Sequence, residues 1–325
     1  MSILVCGEAI VDLFVSIDDG TMRAQPVLGG SPYNVAIGLA RLGVTTSFFG
    51  GLSSDIFGAA IRSRLVAEGV GVAHAVESAR LTTISVVGKD TDGQPAYAFH
   101  GEDKADRSID VADLPKELDK DTRAIVMGSF TLAVEPVASA HLALARREAG
   151  KRLISIDPNL RPTVIPDLAR WRRQFAEFLP DAGIIKASDE DLGIAFPGMS
   201  HREVTANWFA AGAALCVITH GAKGAVAWRP GRDPIVETGR PVETVDTVGA
   251  GDSFHAALLA RLDQYGLLSR EGVAALDDAH VSEVLAFAVT AAAITCSRRG
   301  ADPPRLAEMP PNPANADAVR AGVVR

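Results

Sequence analysis

Residues 246–254 read Asp246-Thr-Val-Gly-Ala-Gly-Asp252-Ser-Phe254, a polar, glycine-rich turn that runs directly into the apolar helical pattern of residues 254–260. Gly249, Ala250 and Gly251 carry little or no side chain, so their backbone N–H groups can approach a ligand closely. They stand where a helix begins, with unpaired N–H groups and the positive end of the helix dipole. The stretch therefore predicts an anion hole suited to a transferring phosphoryl group.

Asp252 follows this turn within the first turn of the predicted helix. A carboxylate beside a bound phosphate costs repulsion, and general-base work on an attacking hydroxyl would explain its presence. The alternative is that Asp252 only complements the helix N-terminus, and an isolated Gly-x-Gly-Asp sequence would favour that alternative. The longer string is far more specific than those four residues.

Outside this stretch, short apolar segments alternate with longer Ala- and Leu-rich helical patterns along the 325 residues. Strands separated by helices predict βαβ units and a mainly parallel sheet with helices on both faces. The predicted strands are residues 3–6, 47–50, 124–127, 153–156, 183–186, 215–219 and 225–228. The predicted helices are residues 32–42, 57–68, 134–149, 168–179, 203–211, 250–265 and 281–297.

Two stretches interrupt this alternation, residues 11–28 and 81–101, where apolar and polar residues alternate around polar turns. They predict hairpin strands of a small sheet, and two such insertions that pair in space would form a lid. The alternative is that they are edge strands of the main sheet. The proline-rich C-terminal end, from Pro303 to Pro313, predicts an extended wrap over the surface. We therefore expect one α/β domain over residues 1–325 with a lid.

Composition excludes several classes of partner. Asp and Glu number 40 against 32 Lys and Arg, a net charge of -8, whereas a nucleic-acid-binding surface needs a basic excess. Cys6, Cys216 and Cys296 are far apart, which predicts reduced thiols in a cytoplasmic protein. The longest uncharged stretch, residues 204–222, contains Asn, Gly and His, and the N-terminal residues lack signal-peptide features. We therefore expect no nucleic-acid partner, no membrane span and no secretory signal.

A second distinctive stretch is residues 29–43, which begins Gly29-Gly30-Ser31-Pro32-Tyr33-Asn34 and continues as an Ala- and Leu-rich helix. Gly29 and Gly30 allow the backbone to crowd a polyol, and Asn34 offers both a donor and an acceptor to hydroxyl groups. A loop followed by an amphipathic helix accounts for the Ala and Leu residues, but not for the combination of two glycines and Asn34.

Residues 246–254 resemble the C-terminal signature of the ribokinase-like (PfkB) carbohydrate kinases almost residue for residue, and residues 29–43 resemble the N-terminal signature. The resemblance extends from residues 7–12 to residues 299–304. It implies a ribokinase-like three-layer α/β/α fold with a mainly parallel central sheet and a small β-sheet lid. It also implies an ATP-dependent sugar kinase of the fructokinase branch that uses Mg²⁺, with K⁺ as a further option.

The resemblance implies roles for individual residues. Asp252 would be the catalytic base behind an anion hole formed by Gly249, Ala250 and Gly251. The sugar would be held by Asp12, Gly29, Gly30, Asn34, the lid residue Phe99 and Arg161. Taken alone, Asp12 is better interpreted as a turn or surface strand residue. Phe99 could equally belong to the core of the lid, and Arg161 could equally be a solvated loop arginine.

The nucleotide side follows in the same way from the resemblance. Lys186, Ser188, Thr219, Gly221 and Gly224 would bind the cofactor ATP. Asp191 would organise magnesium through water, and Asp246 with the carbonyl of Val248 would hold a monovalent cation. This chain departs from the family pattern, because Ser188 replaces an Asn, Asp191 replaces a Glu and Val289 stands where an Asn is expected.

The expected reaction is phosphorylation of D-fructose to fructose 6-phosphate. A 2-keto-3-deoxygluconate kinase remains open, because its acid substrate would give Arg161 a carboxylate partner. A ribokinase or nucleoside kinase is a third reading. A non-catalytic sugar-binding regulator would be expected to lack Asp252 or the glycines, which this chain retains. The apolar residues 11–17 leave a homodimer through the lid open.

Overall fold

The computed structural model describes residues 1–18, 21–89 and 95–312. Its strands are β1 (Ser2–Cys6), β2 (Ile10–Asp18), β3 (Thr21–Gly29), β4 (Thr45–Phe49), β5 (Gly51–Ser53), β6 (Val76–Ser78), β7 (Ile84–Lys89), β8 (Pro95–His100), β9 (Thr122–Gly128), β10 (Leu153–Asp157), β11 (Ile184–Ser188), β12 (Leu215–Thr219), β13 (Gly224–Trp228) and β14 (Ile235–Thr238). Its helices are α1 (Ser31–Arg41), α2 (Ile56–Ala67), α3 (Val137–Glu148), α4 (Leu168–Phe178), α5 (Asp189–Ala195), α6 (His201–Ala211), α7 (Ala250–Gln264), α8 (Arg270–Ala274) and α9 (Asp278–Cys296).

The central sheet has the strand order β14-β13-β12-β11-β10-β9-β1-β4. The six neighbouring strands β4, β1, β9, β10, β11 and β12 pair in parallel, and β13 and β14 extend the sheet in antiparallel pairing. A parallel sheet needs both faces covered. One apolar core lies under α1, α2, α7 and α9, and a second lies under α3, α4 and α6. The predicted three-layer α/β/α fold is therefore confirmed.

The lid is a separate sheet with the strand order β3-β2-β7-β8. Its two hairpins join because β2 pairs in parallel with β7, from Val11 opposite Ile84 to Phe14 opposite Val87. The two stretches thus form one small sheet, and the reading as edge strands of the main sheet is wrong. The predicted turn at residues 90–93, like residues 19 and 20, lies outside the described residues.

Sequence analysis did not predict the shortest strands and helices. The pair β5 and β6, the edge strand β14 and the helix α8 span three to five residues each, too few for a hydrophobic period to be read. The C-terminal segment wraps over the surface as expected, with Pro303, Pro304 and Met309 buried. Pro313 lies outside the described residues.

Helix α9 is long and apolar enough, by length and composition alone, to cross a membrane. It packs against α7 within the first core, where Val284, Leu285 and Ala288 are buried. Its apolar character is therefore that of a core helix in this fold.

Candidate active site

The N-terminus of α7 is shaped by Gly249, which has a φ of 74°. A Cβ atom at this position would lie 2.5 Å from the Cβ of Ala301, so the turn requires glycine both for its backbone conformation and for space. The first α-helical hydrogen bond runs from the Ser253 N–H to the Gly249 carbonyl, at 2.9 Å. The amides of Gly251 and Asp252 precede that bond and lie at the positive end of the dipole.

Asp252 links α7 to α1. Its Oδ1 accepts a hydrogen bond from Ser31 Oγ at 2.6 Å, and its Oδ2 accepts one from Asn34 Nδ2 at 2.8 Å. The carboxylate is 7 % exposed, and burial raises its pKa although both hydrogen bonds and the charge of Lys186 oppose the rise. Asn34, expected to bind hydroxyl groups, thus gives one N–H to the predicted base, and Ser31 is a site residue that the sequence did not reveal.

Lys186 lies directly beneath the anion hole. Its Nζ donates to Asp157 Oδ2 at 2.7 Å with both side chains buried, and a Cβ on Gly251 would lie 3.1 Å from the same nitrogen. Burial alone would lower the pKa of Lys186, but the charges of Asp157, Asp252 and Asp191 outweigh it and raise the pKa. Asp157, at the end of β10, was not predicted as a site residue.

Ser188 and Asp191 form the capping box of α5. Ser188 Oγ accepts the Asp191 N–H at 3.0 Å, and Asp191 Oδ2 accepts the Ser188 N–H at 3.3 Å. Asp191 Oδ1 accepts the Leu160 N–H at 2.9 Å, which ties α5 to the loop after β10. Burial and the nearby charge of Asp157 raise the pKa of Asp191.

These carboxylates fit a magnesium ion held through water and phosphate oxygens. Within residues 1–18, 21–89 and 95–312, no three His, Cys, Asp or Glu side chains are arranged to hold a metal ion by themselves. Asp157, Asp191 and Asp252 nevertheless surround the single positive charge of Lys186. Magnesium usually keeps several waters and shares its coordination with substrate phosphates. A water-mediated role for Asp191 is compatible with this donor set.

Under the lid, Asp12 lies against the entrance to α1. A Cβ on Gly29 would lie 2.5 Å from Asp12 Oδ2, so glycine is needed for the strand to pass the carboxylate. Burial raises the pKa of Asp12, while a hydrogen bond with Ser85 and the charge of Arg161 lower it. Gly30 has a φ of 107°, and a Cβ there would lie 2.9 Å from the carbonyl oxygen of Glu8.

Phe99 packs at the base of the lid. Its ring meets Phe130 edge-on at 5.5 Å between centroids, and the Arg107 guanidinium lies 5.1 Å from the Phe99 ring. Arg161 is exposed, and its charge lowers the pKa values of both Glu8 and Asp12. The structure therefore brings Arg161 within electrostatic range of the lid residue Asp12.

Two buried acids near this site were missed. Burial raises the pKa of Glu8 to about 8, against an opposing hydrogen bond with Ser129, and raises the pKa of Asp106 to about 6. Asp106 accepts a hydrogen bond from Thr83. The available signal was Glu8 itself, a carboxyl group that stands two residues after the apolar end of β1, separated from it only by Gly7.

A cavity of about 560 Å³ opens on the other side of the anion hole. Thr219, Gly221 and Gly224, from the β12–β13 connection, line one side, and Ala250 and Gly251 close the end nearest to Asp252. The remaining lining residues include Arg240, Pro241, Val242 and Thr244 from the segment before α7, and Val289, Ala292, Ala293 and Cys296 from α9. The segment 239–244 was not predicted to line a site.

Asp246 ties the turn before α7 to the segment after α9. Its Oδ1 accepts the Val248 N–H at 3.1 Å, and its Oδ2 accepts the Gly300 N–H at 2.9 Å. The Cys296 carbonyl accepts the amides of Val245 and Asp246. Both Asp246 oxygens thus accept backbone N–H groups here, and a monovalent cation at Asp246 and the Val248 carbonyl stays a prediction.

The site is arranged in the order lid, Asp252, anion hole and cavity, and we call this arrangement the cleft. Such an arrangement can hold an anion against backbone N–H groups while a buried carboxylate faces a hydroxyl group beside it. Of the predicted residues, the cavity is lined by Thr219, Gly221, Gly224, Ala250 and Gly251. Asn34 and Lys186 interact with Asp252 beside it, whereas Asp12 and Phe99 lie on strands of the lid sheet.

Residues 2–308 match the family described as pfkB family carbohydrate kinase. A fructokinase from Rhizobium leguminosarum bv. trifolii is 39% identical over 279 residues, which cover 85% of this chain and 84% of the relative. A probable fructokinase-3 from Arabidopsis thaliana is 33% identical, covering 91% of this chain and 86% of the relative.

Among solved structures, a Vibrio cholerae fructokinase double mutant in its fructose-, ADP- and potassium-bound form superimposes with a TM-score of 0.78. The two are 27% identical, with 98% of this chain and 97% of the other covered. A fructokinase from Xylella fastidiosa with bound ATP, 23% identical, has the same fold, with a TM-score of 0.83 and 99% of both chains covered. This chain belongs to the pfkB family of carbohydrate kinases.

Proposed function

We propose that this protein is an ATP-dependent fructokinase that transfers the γ-phosphoryl group of ATP to the 6-hydroxyl of D-fructose. The observation that carries the proposal is the position of Asp252, a buried carboxylate at the junction of the lid side, the anion hole and the cavity. The fructokinases among its relatives support fructose as the acceptor.

Asp252 is the base in this mechanism. Ser31 and Asn34 donate to its two oxygens and orient it, while the raised pKa makes the carboxylate a stronger base toward the attacking hydroxyl. The carboxylate accepts the proton of the sugar hydroxyl as the oxygen attacks the γ-phosphorus in line, and the bond from that phosphorus to the β–γ bridging oxygen breaks, with ADP as the leaving group. After transfer, the proton resides on Asp252 and leaves to solvent when the products dissociate.

The anion hole holds the phosphoryl group as it passes. The amides of Gly251 and Asp252 would bind the equatorial oxygens as these gather negative charge, while the Ala250 N–H bonds the Thr247 carbonyl at 3.3 Å and holds the turn. Lys186, buried beneath Gly251, adds a positive charge that burial leaves poorly screened. Asp157 holds this ammonium in place.

The sugar lies under the lid. Asp12 and the Gly29–Gly30 backbone bind its hydroxyl groups, Phe99 covers it, and Arg161 lies at the open side. Lid closure excludes water, which would otherwise compete with the sugar as acceptor. The second free N–H of Asn34 remains available to a sugar hydroxyl.

Thr219, Gly221 and Gly224 bind the ribose and phosphates of ATP in the cavity, and Val289 lines its apolar wall. Magnesium, when bound, neutralises charge on the β- and γ-phosphates. Asp191 holds it through water, while Ser188 fixes the Asp191 side chain. Asp246 and the Val248 carbonyl would hold potassium behind the anion hole.

A panel assay of ADP release tests the function, with fructose, ribose, 2-keto-3-deoxygluconate and a nucleoside as acceptors. We expect fructose to give the highest kcat/KM. A preference for 2-keto-3-deoxygluconate is the second candidate, which the exposed guanidinium of Arg161 favours by offering a partner for a carboxylate. If the protein turns over no ATP with any of these acceptors, the result would instead support a non-catalytic sugar-binding regulator.

We further propose that the lid forms the interface of a homodimer. Leu13, Val15 and Val86 lie on the face of the lid sheet opposite Asp12, by strand alternation and by the pairing of Leu13 with Val86. Sedimentation equilibrium should give twice the chain mass, and Leu13→Glu should give the monomer. Val236→Glu is the control, on an edge strand at 64% exposure. A monomeric wild type would refute the interface.

Two further properties belong to the proposal. Residues 1–325 form one α/β domain with its lid at residues 11–28 and 81–101, so calorimetry should show one cooperative transition.

The protein is cytoplasmic, in keeping with its free thiols, of which Cys6 and Cys216 are buried. Fractionated cells should then show it with the cytoplasmic markers, and enrichment elsewhere would contradict this.

A further inference from the structure

Arg41, in the last turn of α1, is almost fully buried and joins three parts of the chain. Its Nε and Nη2 donate to the two oxygens of Glu68, at 3.0 and 2.8 Å. Its Nη1 donates to Asp302 Oδ1 at 2.5 Å and to the Pro303 carbonyl at 2.7 Å. The Arg41 and Glu68 side chains are each 6% exposed, so this is a fixed fork rather than a surface ion pair.

Arg41 bonds Asp302 and Pro303, and the residues just before them, Gly300 and Ala301, contact the turn that forms the anion hole. Gly300 donates its N–H to Asp246, and Ala301 packs against the position where Gly249 lacks a side chain. Residues 300–303 therefore form a clamp behind the turn that precedes α7. The clamp touches Asp246 and Gly249, and Arg41 bonds it at Asp302 and Pro303.

Helix α1 connects this clamp to the base as well. Its first turn carries Ser31 and Asn34, which hold Asp252, and its last turn carries Arg41. In between, Gly38 allows close packing, because a Cβ there would lie 2.8 Å from Ala256 of α7 and 3.7 Å from Pro303. One rigid helix thus sets both the carboxylate and the backbone of the anion hole.

We propose that Arg41 is a positioning residue for the nucleotide phosphates, acting through the Asp302–Pro303 clamp on the Gly249 turn. This inference rests on the proposed function of that turn as the anion hole. Arginine is required because three acceptors diverge around one guanidinium, and a lysine ammonium lacks the planar fork that reaches them together. Misplacement of such a turn costs phosphate affinity without removing any group that touches phosphate.

The test compares Arg41→Met and Asp302→Asn with Arg305→Met. Arg305 donates to the same Glu68, at 3.3 Å, but it is 62% exposed and belongs to the surface. The titration of MgADP into the full chain in potassium buffer is followed by calorimetry. We expect each of the first two variants to weaken MgADP about tenfold, and Arg305→Met to stay within about twofold of wild type.

Amide hydrogen exchange separates positioning from loss of stability. In Arg41→Met, we expect faster exchange in a peptide covering residues 296–303 and unchanged exchange in β1 and β9. The double variant Arg41→Met/Asp302→Asn should bind MgADP no more weakly than Arg41→Met alone, because both changes break the Arg41–Asp302 link and the second ion pair of Asp302, with Arg298 at 3.6 Å, is long and partly exposed. Arg41→Lys should keep the charge but recover less than the full affinity.

The proposal is overturned if Arg41→Met binds MgADP with wild-type affinity. It is also overturned if amide hydrogen exchange becomes faster across the whole sheet and the losses of MgADP affinity add up in the double variant. The proposed function fails separately. A wild type that binds MgADP but phosphorylates no sugar refutes the kinase and leaves the clamp standing. Unchanged exchange of residues 296–303 in Arg41→Met refutes the clamp whatever the acceptor is.

Discussion

The two halves of the cleft on either side of Gly251 are built differently. Toward the lid, Asp252 and Lys186 are buried charges, each held by a side chain from a distant element. Toward the nucleotide, the cavity is lined by glycine backbone and by small apolar side chains such as Val289 and Ala292. Removing one buried charge leaves its partner unpaired, whereas an apolar wall loses only contact area. The charged half should therefore respond far more steeply to substitution.

The largest effect is expected for Asp252→Asn. The amide keeps the shape but cannot accept the proton, so kcat should fall about 10³-fold while the Kd for MgADP stays near that of the wild type. Steady-state ADP release with fructose measures kcat. Asp233→Asn, on the exposed loop before β14, is the matched control. If Asp252→Asn keeps a tenth of the wild-type rate, the base is another group.

Gly249→Ala should have the next largest effect. The new Cβ meets Ala301 at 2.5 Å, and the backbone would have to hold a φ of 74°. Displacing the anion-hole amides should reduce kcat/KM for ATP about 10²-fold. Gly231→Ala separates the two causes, because Gly231 has a φ of 68° but open space around it.

If the Gly231→Ala control loses as much nucleotide activity as Gly249→Ala, then general strain explains the effect. Equal losses of thermal stability in the two variants, with a loss of kcat/KM only in Gly249→Ala, would place the effect at the anion hole. That outcome would show that the boundary between the two halves of the cleft depends on the absence of a single methyl group at Gly249.

Sequence analysis reached the anion hole and Asp252 because their chemistry lies in nine consecutive residues. It also reached the alternation of strands and helices, because a parallel sheet leaves long apolar runs. It could not pair Ser31 with Asp252, since 221 residues separate them and a serine at a helix start reads as an ordinary cap. Only the folded chain places them together.

The apolar half was predicted less well for a related reason. Thr219, Gly221 and Gly224 gained meaning from a family pattern, but the segment 239–244 has no periodicity and no motif. The small residues of α9 read as helix core, and some of them are. A cavity wall and a core use the same amino acids, so composition alone cannot separate them.

Lys186→Met should shift the pH dependence of kcat. The ammonium lowers the pKa of Asp252, which burial raises, so its loss lets that pKa rise further. Asp252 acts only when ionised, and kcat falls as the pH drops through its pKa. The acid limb of the profile should therefore move to higher pH, by about one unit, with about a tenfold loss of kcat at pH values on the acid limb itself.

The Lys186→Met change also leaves Asp157 without its partner, which can destabilise the fold by about 3 kcal/mol. The double variant Lys186→Met/Asp157→Asn removes both charges and should recover stability, and its acid limb should lie at lower pH than that of Lys186→Met, because the charge of Asp157 raises the pKa of Asp252. Lys151→Met is the exposed control. An acid limb at the wild-type pH in both Lys186 variants would show that the ammonium does not act on Asp252.

Val289→Ala should have the smallest effect, and it tests the apolar half directly. Val289 lines the cavity where the family pattern places an Asn, so its contribution is contact area alone. Loss of two methyl groups should raise KM for ATP about threefold, with kcat unchanged, because the affected contacts are made equally in the ground and transition states. Val236→Ala, on the exposed edge strand, gives the baseline. A fall in kcat would mean that the adenine end helps to align the phosphates, and the two halves of the cleft would then act as one unit.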